Sequence, residues 1–506
     1  MQSENVARGT VYLTIQNLFV FFFSFIFYAL IARVLGPAEI GKLSVLLMIN
    51  AIFLLSNLSL NFALQKYIPT YVEKGKQNEI GGIIKAGLTI LTPISLIAII
   101  ISILFSAQIS VFMFGSTSET WSIILILLSS FILNFILFFG GEMMGFGMFK
   151  ETAIQNTLNT GISRTIAISL AIMGFGIVGV TAGWLISGIV TLIFSLFVLR
   201  HNLDLSGNFS KKNILAFSLP VHVFTIIMFI QGWADIGVLY ALSTDISEIG
   251  TYYLVVSGVA VLSIFYIPIS MVLLPTLSSR YSQNGFNGVS STANTYIRLV
   301  SKILIPLGVS FAALSPTAIG IAFGSQYTSG SLPFAILAIT TIIPAIALLM
   351  VTIIQSIGNT KPLIIMGVTS AIADIIIVAA LASSMGAVAG AIGRIAFASM
   401  SIIVGYYFIQ KNIKLNIFSQ FKLPLIAAII IGTPLYILDQ FLIHSINLTI
   451  MLRAPIDIFT FIAFSIIFIY FSHYITKEDF EILRQSMPNK LESTINKIEK
   501  IFTRSK

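Results

Sequence analysis

IARVLGPAEIG, from Ile31 to Gly41, closes the first hydrophobic run of this chain of 506 residues, and YALSTDISEIG, from Tyr240 to Gly250, closes another 209 residues later. One unit has been used twice. Pro69-Thr70, which ends the second run, returns as Pro275-Thr276, and GIVGVTAG from Gly176 returns as GAVAGAIG from Gly386 at an offset of 210. Short Gly-rich matches are individually weak, but several at a near-constant offset mark an internal repeat. Duplicated halves around a central pathway are a transporter architecture.

Outward from these echoes, 57% of the residues are hydrophobic and only 9% are charged. A bilayer crossing takes roughly 20 apolar helical residues, and about fourteen runs reach that length, from 10–32 to 455–475. The fold class is therefore all-α, a polytopic membrane protein with about fourteen transmembrane helices. Each repeat holds six runs, and an even number places the second copy in the same orientation as the first. The expected arrangement is two parallel six-helix lobes, 1–205 and 211–412, joined by the polar linker HNLDLSGNFSKKN from His201 to Asn213. Two additional helices in 423–475 and a cytoplasmic tail in 476–506 follow.

Positively charged short loops stay on the cytoplasmic side. With the N-terminus inside, 23 of the 28 Lys and Arg residues fall on that side. The expected protein is multi-pass in the plasma membrane with both termini cytoplasmic. Arg8 precedes a first span longer than an ordinary signal h-region, with no small-residue cleavage site after it, so that span is expected to stay. The net charge of +9 is thus topology and lipid contact, and nucleic acid is not an expected partner. There is no cysteine, and His201, His222, His444 and His473 are scattered. Neither a metal nor another cofactor is called for.

IARVLGPAEIGKLSVL (Ile31 to Leu46), ALQKYIPTY (Ala63 to Tyr71), the LP pair Leu219-Pro220 with Asp235 later in that run, and SEIGTYYLV (Ser247 to Val255) carry a family resemblance. The chain resembles the polysaccharide transporter family, the Wzx-type flippases and their archaeal relatives, of the multidrug/oligosaccharidyl-lipid/polysaccharide flippase superfamily. That resemblance implies alternating access by two lobes carrying a polyprenyl- or dolichyl-(pyro)phosphate-linked oligosaccharide to the outer leaflet. It also implies membrane lipids, a coupling ion (H+ or Na+) and glycan-assembly enzymes as partners. A cation-coupled multidrug antiporter of the same superfamily is the alternative. An enzyme is not expected, since outside loops of about 5 to 12 residues leave no room for a catalytic domain.

Charges at membrane depth cost at least about 2.5 to 3.5 kcal/mol and so mark function or pairing. Arg164, Asp235, Asp374 and Arg394 are the clearest. Arg164 and Asp374 are repeat mates at offset 210 and similar depth. Two readings stand: Arg164 binds substrate phosphate, or the two residues pair across the lobes as a lock. Asp235, Arg394, Arg33 and Lys42 lie nearer the outside as a vestibule, with Arg33 and Lys42 better read as snorkelling to headgroups. Lys66 and Lys85 sit where topology demands basic residues. Glu142 and Lys150 flank the Gly-rich stretch GGEMMGFGMFK, read as a loop with close helix packing. Pro93, Pro268, Pro306, Pro344 and Pro434 are candidate kinks. In the tail, Leu491, Ile495, Ile498 and Phe502 recur at helical spacing with basic residues between them, as in an amphipathic helix on the inner leaflet.

Overall fold

A backbone in hydrocarbon has no water to bond, so spanning runs must satisfy their own N–H and C=O groups and fold as helices. The computed structural model describes residues 2–202, 205–242, 245–358, 361–444, 450–472 and 474, and every regular element among them is helical. The expected amphipathic tail helix lies outside the described residues.

The chain divides into two compact units, Met1–Leu254 and Val255–Lys506. The first contains α1 (Gln2–Leu35), α2 (Pro37–Leu54), α3 (Leu60–Glu73), α4 (Gln77–Leu104), α5 (Ser106–Phe114), α6 (Thr120–Gly145), α7 (Phe149–Leu170), α8 (Gly176–Leu199), α9 (Lys211–Leu242) and the start of α10 (Ile246–Val259). The second continues with α11 (Ile267–Ala313), α12 (Ser315–Ala322), α13 (Ser331–Ile339), α14 (Ile342–Ser356), α15 (Lys361–Met385), α16 (Ala387–Ile409), α17 (Ile417–His444) and α18 (Ile450–Ser472).

Among the described residues, eleven helical segments are long and apolar enough to cross a membrane, or twelve if Ser325–Ile339 and Ile342–Ser356, bent by 43°, form one broken span. One of the eleven, Phe149–Leu199, runs for 51 residues, about 76 Å if straight and far more than one crossing needs. It bends at Gly174 (φ 92°) and Gly176 (φ 54°), which separate α7 from α8. Polar side chains are buried beside apolar ones while large apolar side chains face outward. Along α6 the chain buries Ser122, Ser129, Ser130 and Asn134 and exposes Trp121 and Leu137, the pattern expected where lipid is the solvent.

The repeat is written in the backbone as well. Gly75, Gly115, Gly147 and Gly176 have φ of 67°, 71°, 74° and 54°, and Gly285, Gly324, Gly358 and Gly386 have 57°, 113°, 82° and 51°. Their offsets run from 209 to 211 residues. Left-handed turns are cheap only for glycine, so the two copies turn at corresponding places. Each second span is also broken in its middle. Between α2 and α3, Leu58 (φ 52°) and Ser59 (φ 56°) are left-handed. Between α10 and α11 lies a 3-10 turn over Ala260–Phe265. These breaks, and not prolines, interrupt the spans. Pro93, Pro306 and Pro434 lie within helices, but Pro268 and Pro344 fall in the first turns of α11 and α14, where the missing N–H is harmless.

In the first unit α3, α4 and α6 pack a core of Leu64, Ile68, Ile83, Ile84, Phe138 and Met143. In the second, α11 and α14 pack Ile297, Val300, Leu349 and Ile353, with Ala428 of α17 in the same cluster. The two additional helices brace that unit. A Cβ on Gly432 of α17 would fall 2.6 Å from Val309 of α11, and Thr317 of α12 donates to Asp439 of α17 at 2.6 Å.

Candidate functional site

α7 is the least apolar long helix of the first unit. FKETAIQNTLNTGISRTIAISL places Gln155, Asn159, Thr160, Ser163 and Arg164 on successive turns, so one side of it cannot face lipid. Gln155 donates to the Ile136 carbonyl at 3.1 Å and to Ser195 at 2.8 Å. Asn159 accepts from Ser187 of α8 at 2.7 Å through its backbone carbonyl. These bonds dock α7 between α6 and α8.

Arg164, about four turns into α7, then points among aromatic rings. Its guanidinium carbon lies 4.5 Å from the Phe27 ring centroid, 5.5 Å from Tyr28 and 5.7 Å from Trp184. Aromatic faces stabilise a cation by about 0.5 to 2 kcal/mol without cancelling its charge. Among the described residues no carboxylate pairs with it. The Arg164 Nε and the Trp184 Nε1 are both buried with no protein acceptor, although unmet buried donors cost about 1 to 3 kcal/mol each.

Both side chains line a cavity of about 160 Å³, with Asn50, Ser129, Thr160 and Ser163 among its other walls. Asn50 Oδ1 is occupied by the Ser130 hydroxyl at 2.6 Å, leaving its amide N–H groups as donors. Sites for drug-sized ligands run to about 300–1,000 Å³. This one fits a single head-group-sized moiety, and its donors and positive charge suit one that is anionic or rich in oxygen.

Further along α2, the broken second span is held by polar bonds. Asn134 donates to Ser56 at 2.8 Å, Asn57 to the Asn134 carbonyl at 3.1 Å, and Ser59 and Thr225 share a bond of 2.9 Å. At the starts of α2 and α10, the two motifs that disclosed the repeat touch each other. A Cβ on Gly41 would collide with the Ile246 carbonyl, and one on Gly250 with the Pro37 carbonyl and Gly41 nitrogen. Only glycines let the start of α2 and the start of α10 approach so closely.

The other sequence candidates are placed differently. Lys42 is half-buried and bridges Glu39 at 2.7 Å and Glu119 at 2.9 Å. Asp235 is fully buried and accepts from Tyr252 at 2.5 Å. Arg33 is exposed at the end of α1. In the second unit Asp374 is 1% exposed on α15, its Oδ1 pressed against Gly393 of α16, one residue from half-buried Arg394. Glu142 lies within α6, which continues to Gly145, so the Gly-rich stretch is mostly helix with only a short turn after it. Its glycines do pack closely, as expected: Gly141 against Asn61, Gly145 against Ile68. Among the described residues no three metal-ligating side chains cluster. Sequence reasoning missed the cage itself. One signal was available: Trp184 stands 210 residues before Arg394, at a position whose repeat mate had already been singled out.

Comparisons with known proteins agree with this architecture. The chain is 22% identical over 405 residues, 80% of its own length and 83% of the other's, to the probable low-salt glycan biosynthesis flippase Agl15 of Haloferax volcanii. Its fold resembles that of the lipid II flippase MurJ in an inward closed conformation, with a TM-score of 0.70, 16% identity and coverage of 90% of this chain and 98% of that one. It also resembles an inward-facing multidrug resistance MATE family transporter of the MOP superfamily, with a TM-score of 0.66, 15% identity and coverage of 82% and 99%. The family model described as polysaccharide biosynthesis protein matches residues 6–280, more than half of the chain. With its helical repeat and its polar cavity inside a lipid-facing shell, the chain belongs to the polysaccharide biosynthesis protein family.

Proposed function

We propose that this protein is a flippase that carries lipid-linked oligosaccharides, on a polyprenyl or dolichyl (pyro)phosphate, from the cytoplasmic to the outer leaflet of the plasma membrane by alternating access. The observation that carries the reading is Arg164, a cation at membrane depth caged by aromatic rings and left without a carboxylate partner. Moving phosphate through a low dielectric without a counter-charge is prohibitive, and a guanidinium offers phosphate a forked set of donors. The cavity of about 160 Å³ would seat the phosphate or the first sugar, with the rest of the glycan and the lipid tail beyond it. A cationic drug, the cargo in the antiporter reading, would meet a like charge there.

Alternating access is supported by the Gly41–Gly250 contact, which holds the outer ends of α2 and α10 together in this conformation. The mid-span breaks next to the site provide places where halves of helices can swing. Both termini are taken as cytoplasmic. The test is deletion of the gene. Lipid-linked glycan is expected to accumulate on the cytoplasmic leaflet while its assembly continues. Normal surface glycan together with heightened sensitivity to cationic drugs would overturn the reading in favour of the antiporter.

A further inference from the structure

α6 carries a carboxyl group that the phosphate site does not use. Glu142 is 0% exposed and neither carboxyl oxygen has a hydrogen-bond partner. It follows Phe138 by four residues, so the two share a face of α6. The Phe138 ring abuts Gly87 of α4, and Gly141 and Gly145, on either side of Glu142, abut Asn61 and Ile68 of α3. Phe138, Phe139 and Met143 from the same turns belong to the cluster with Ile80, Ile83, Ile84 and Leu64. A buried acid without a partner stands between residues of an apolar cluster.

The repeat sharpens the oddity. Thr352, 210 residues on, occupies the corresponding position in α14 and satisfies itself by donating to the Leu348 carbonyl at 2.7 Å. The second unit needs no acid there. Nothing titratable on the helices around α6 compensates Glu142. On α3, Lys66 is exposed and lies over the Phe217 ring at 4.0 Å, Tyr67 donates to the Asn213 carbonyl, and Glu73 is exposed, with Tyr71 packed on Phe209. On α4, Glu79 pairs with Lys76 and Lys85 is exposed. On α7, Lys150 is exposed, Glu151 is half-buried and Arg164 sits in its aromatic cage; on α8 and just beyond it, the first such groups are Arg200 and His201 at the end. Glu39 and Lys42 of α2, with Glu119, are tied to one another at the opposite end of α6.

We propose that Glu142 is a proton-binding site coupled to conformation: it holds its proton while α3, α4 and α6 are packed as here, and releases it when they part and water reaches the carboxylate. A carboxylate with neither counter-ion nor donor is strongly disfavoured in such surroundings. A metal cation is the wrong ligand, since it needs a shell of several oxygens and among the described residues no three metal-ligating side chains cluster. The step is a simple dissociation, with the electron pair staying on the carboxylate and the proton passing to water. It extends the flippase reading without depending on its substrate, because the linkage is visible in the protein alone.

The chain contains no cysteine, so spin labels at Lys74→Cys and Lys150→Cys report one distance across the cytoplasmic ends of α3 and α7. Distance distributions measured in lipid from acidic to alkaline pH should gain a second population, its ratio to the first changing by about tenfold per pH unit for one proton. Glu142→Gln should stay in the first population at every pH, and Glu142→Asp should keep a pH response. A native chain indifferent to pH, or a Gln variant that follows the native response, would overturn the proposal. So would a Gln variant that fails to fold, because a neutral amide of the same shape replaces what is proposed to be a neutral acid.

Discussion

Arg164 and Trp184 in the first unit stand where Asp374 and Arg394 stand in the second, each residue 210 positions before its counterpart. The supporting helices correspond, α7 and α8 to α15 and α16, and the turn between each pair bends at a glycine of nearly equal φ, Gly176 at 54° and Gly386 at 51°. The chemistry does not correspond. In the first unit a cation rests on aromatic faces beside a cavity, with two buried donors lacking protein acceptors. In the second the Asp374 carboxyl is buried against Gly393, one residue from Arg394. Duplication supplied the same frame twice, and side-chain divergence left the open positive charge in one copy. On this account the first unit binds and the second is built for packing.

That contrast breaks most readily at Arg164. Arg164→Ala is expected to weaken binding of a polyprenyl diphosphate analogue by about 10- to 100-fold, the loss of a charged hydrogen bond, with little change in the melting temperature. Equal binding by the variant and the native chain, measured in the same detergent, would remove the first unit's claim to the ligand. Gly250→Val comes next. Its side chain would strike the Pro37 carbonyl and the Gly41 nitrogen, so a stability loss of about 1 to 3 kcal/mol is expected. A cysteine at buried Ser44, on α2 beside that contact, should become reactive to maleimide; unchanged stability and labelling would mean that the approach of the two motifs is not a constraint.

Asp374→Ala tests the other side of the comparison. It should lower stability by about 1 to 3 kcal/mol while transport per folded molecule falls far less than with Arg164→Ala. The reverse pattern, full stability with lost transport, would move the site into the second unit. The smallest effect is expected at the start of α2. Lys42 touches two carboxylates but stays partly open to solvent, so Lys42→Ala should change thermal stability by no more than about 1 kcal/mol. A substrate-binding defect in that variant would favour the vestibule reading of the residue.

Composition and motif echoes were enough to read spanning helices and a repeat, because hydrocarbon allows the backbone few choices and the echoes keep a near-constant offset. They were also enough to single out Arg164 and Asp374, because intramembrane charges are rare. The surroundings of those charges were not legible. Phe27, Tyr28 and Trp184 lie on α1 and α8 and meet Arg164 only through packing, and in a chain with 41 Phe residues an aromatic carries no signal of its own. The breaks were hidden for a related reason. Leu58 and Ser59 adopt left-handed backbone although neither residue type favours it, so tertiary bonds around Asn57 and Asn134 set that turn, not local propensity. Glu142 was misjudged because glycines beside it suggested a loop, whereas in a membrane helix they permit close packing.

The most direct test of the central claim is leaflet-to-leaflet transfer of a fluorescent polyprenyl diphosphate sugar in proteoliposomes containing native protein, Arg164→Ala or Arg164→Lys, each matched for folded protein by thermal unfolding. The account predicts that the alanine variant is folded but loses transfer, and that the lysine variant keeps part of it because a point charge still attracts phosphate. Native-rate transfer by folded Arg164→Ala would contradict it.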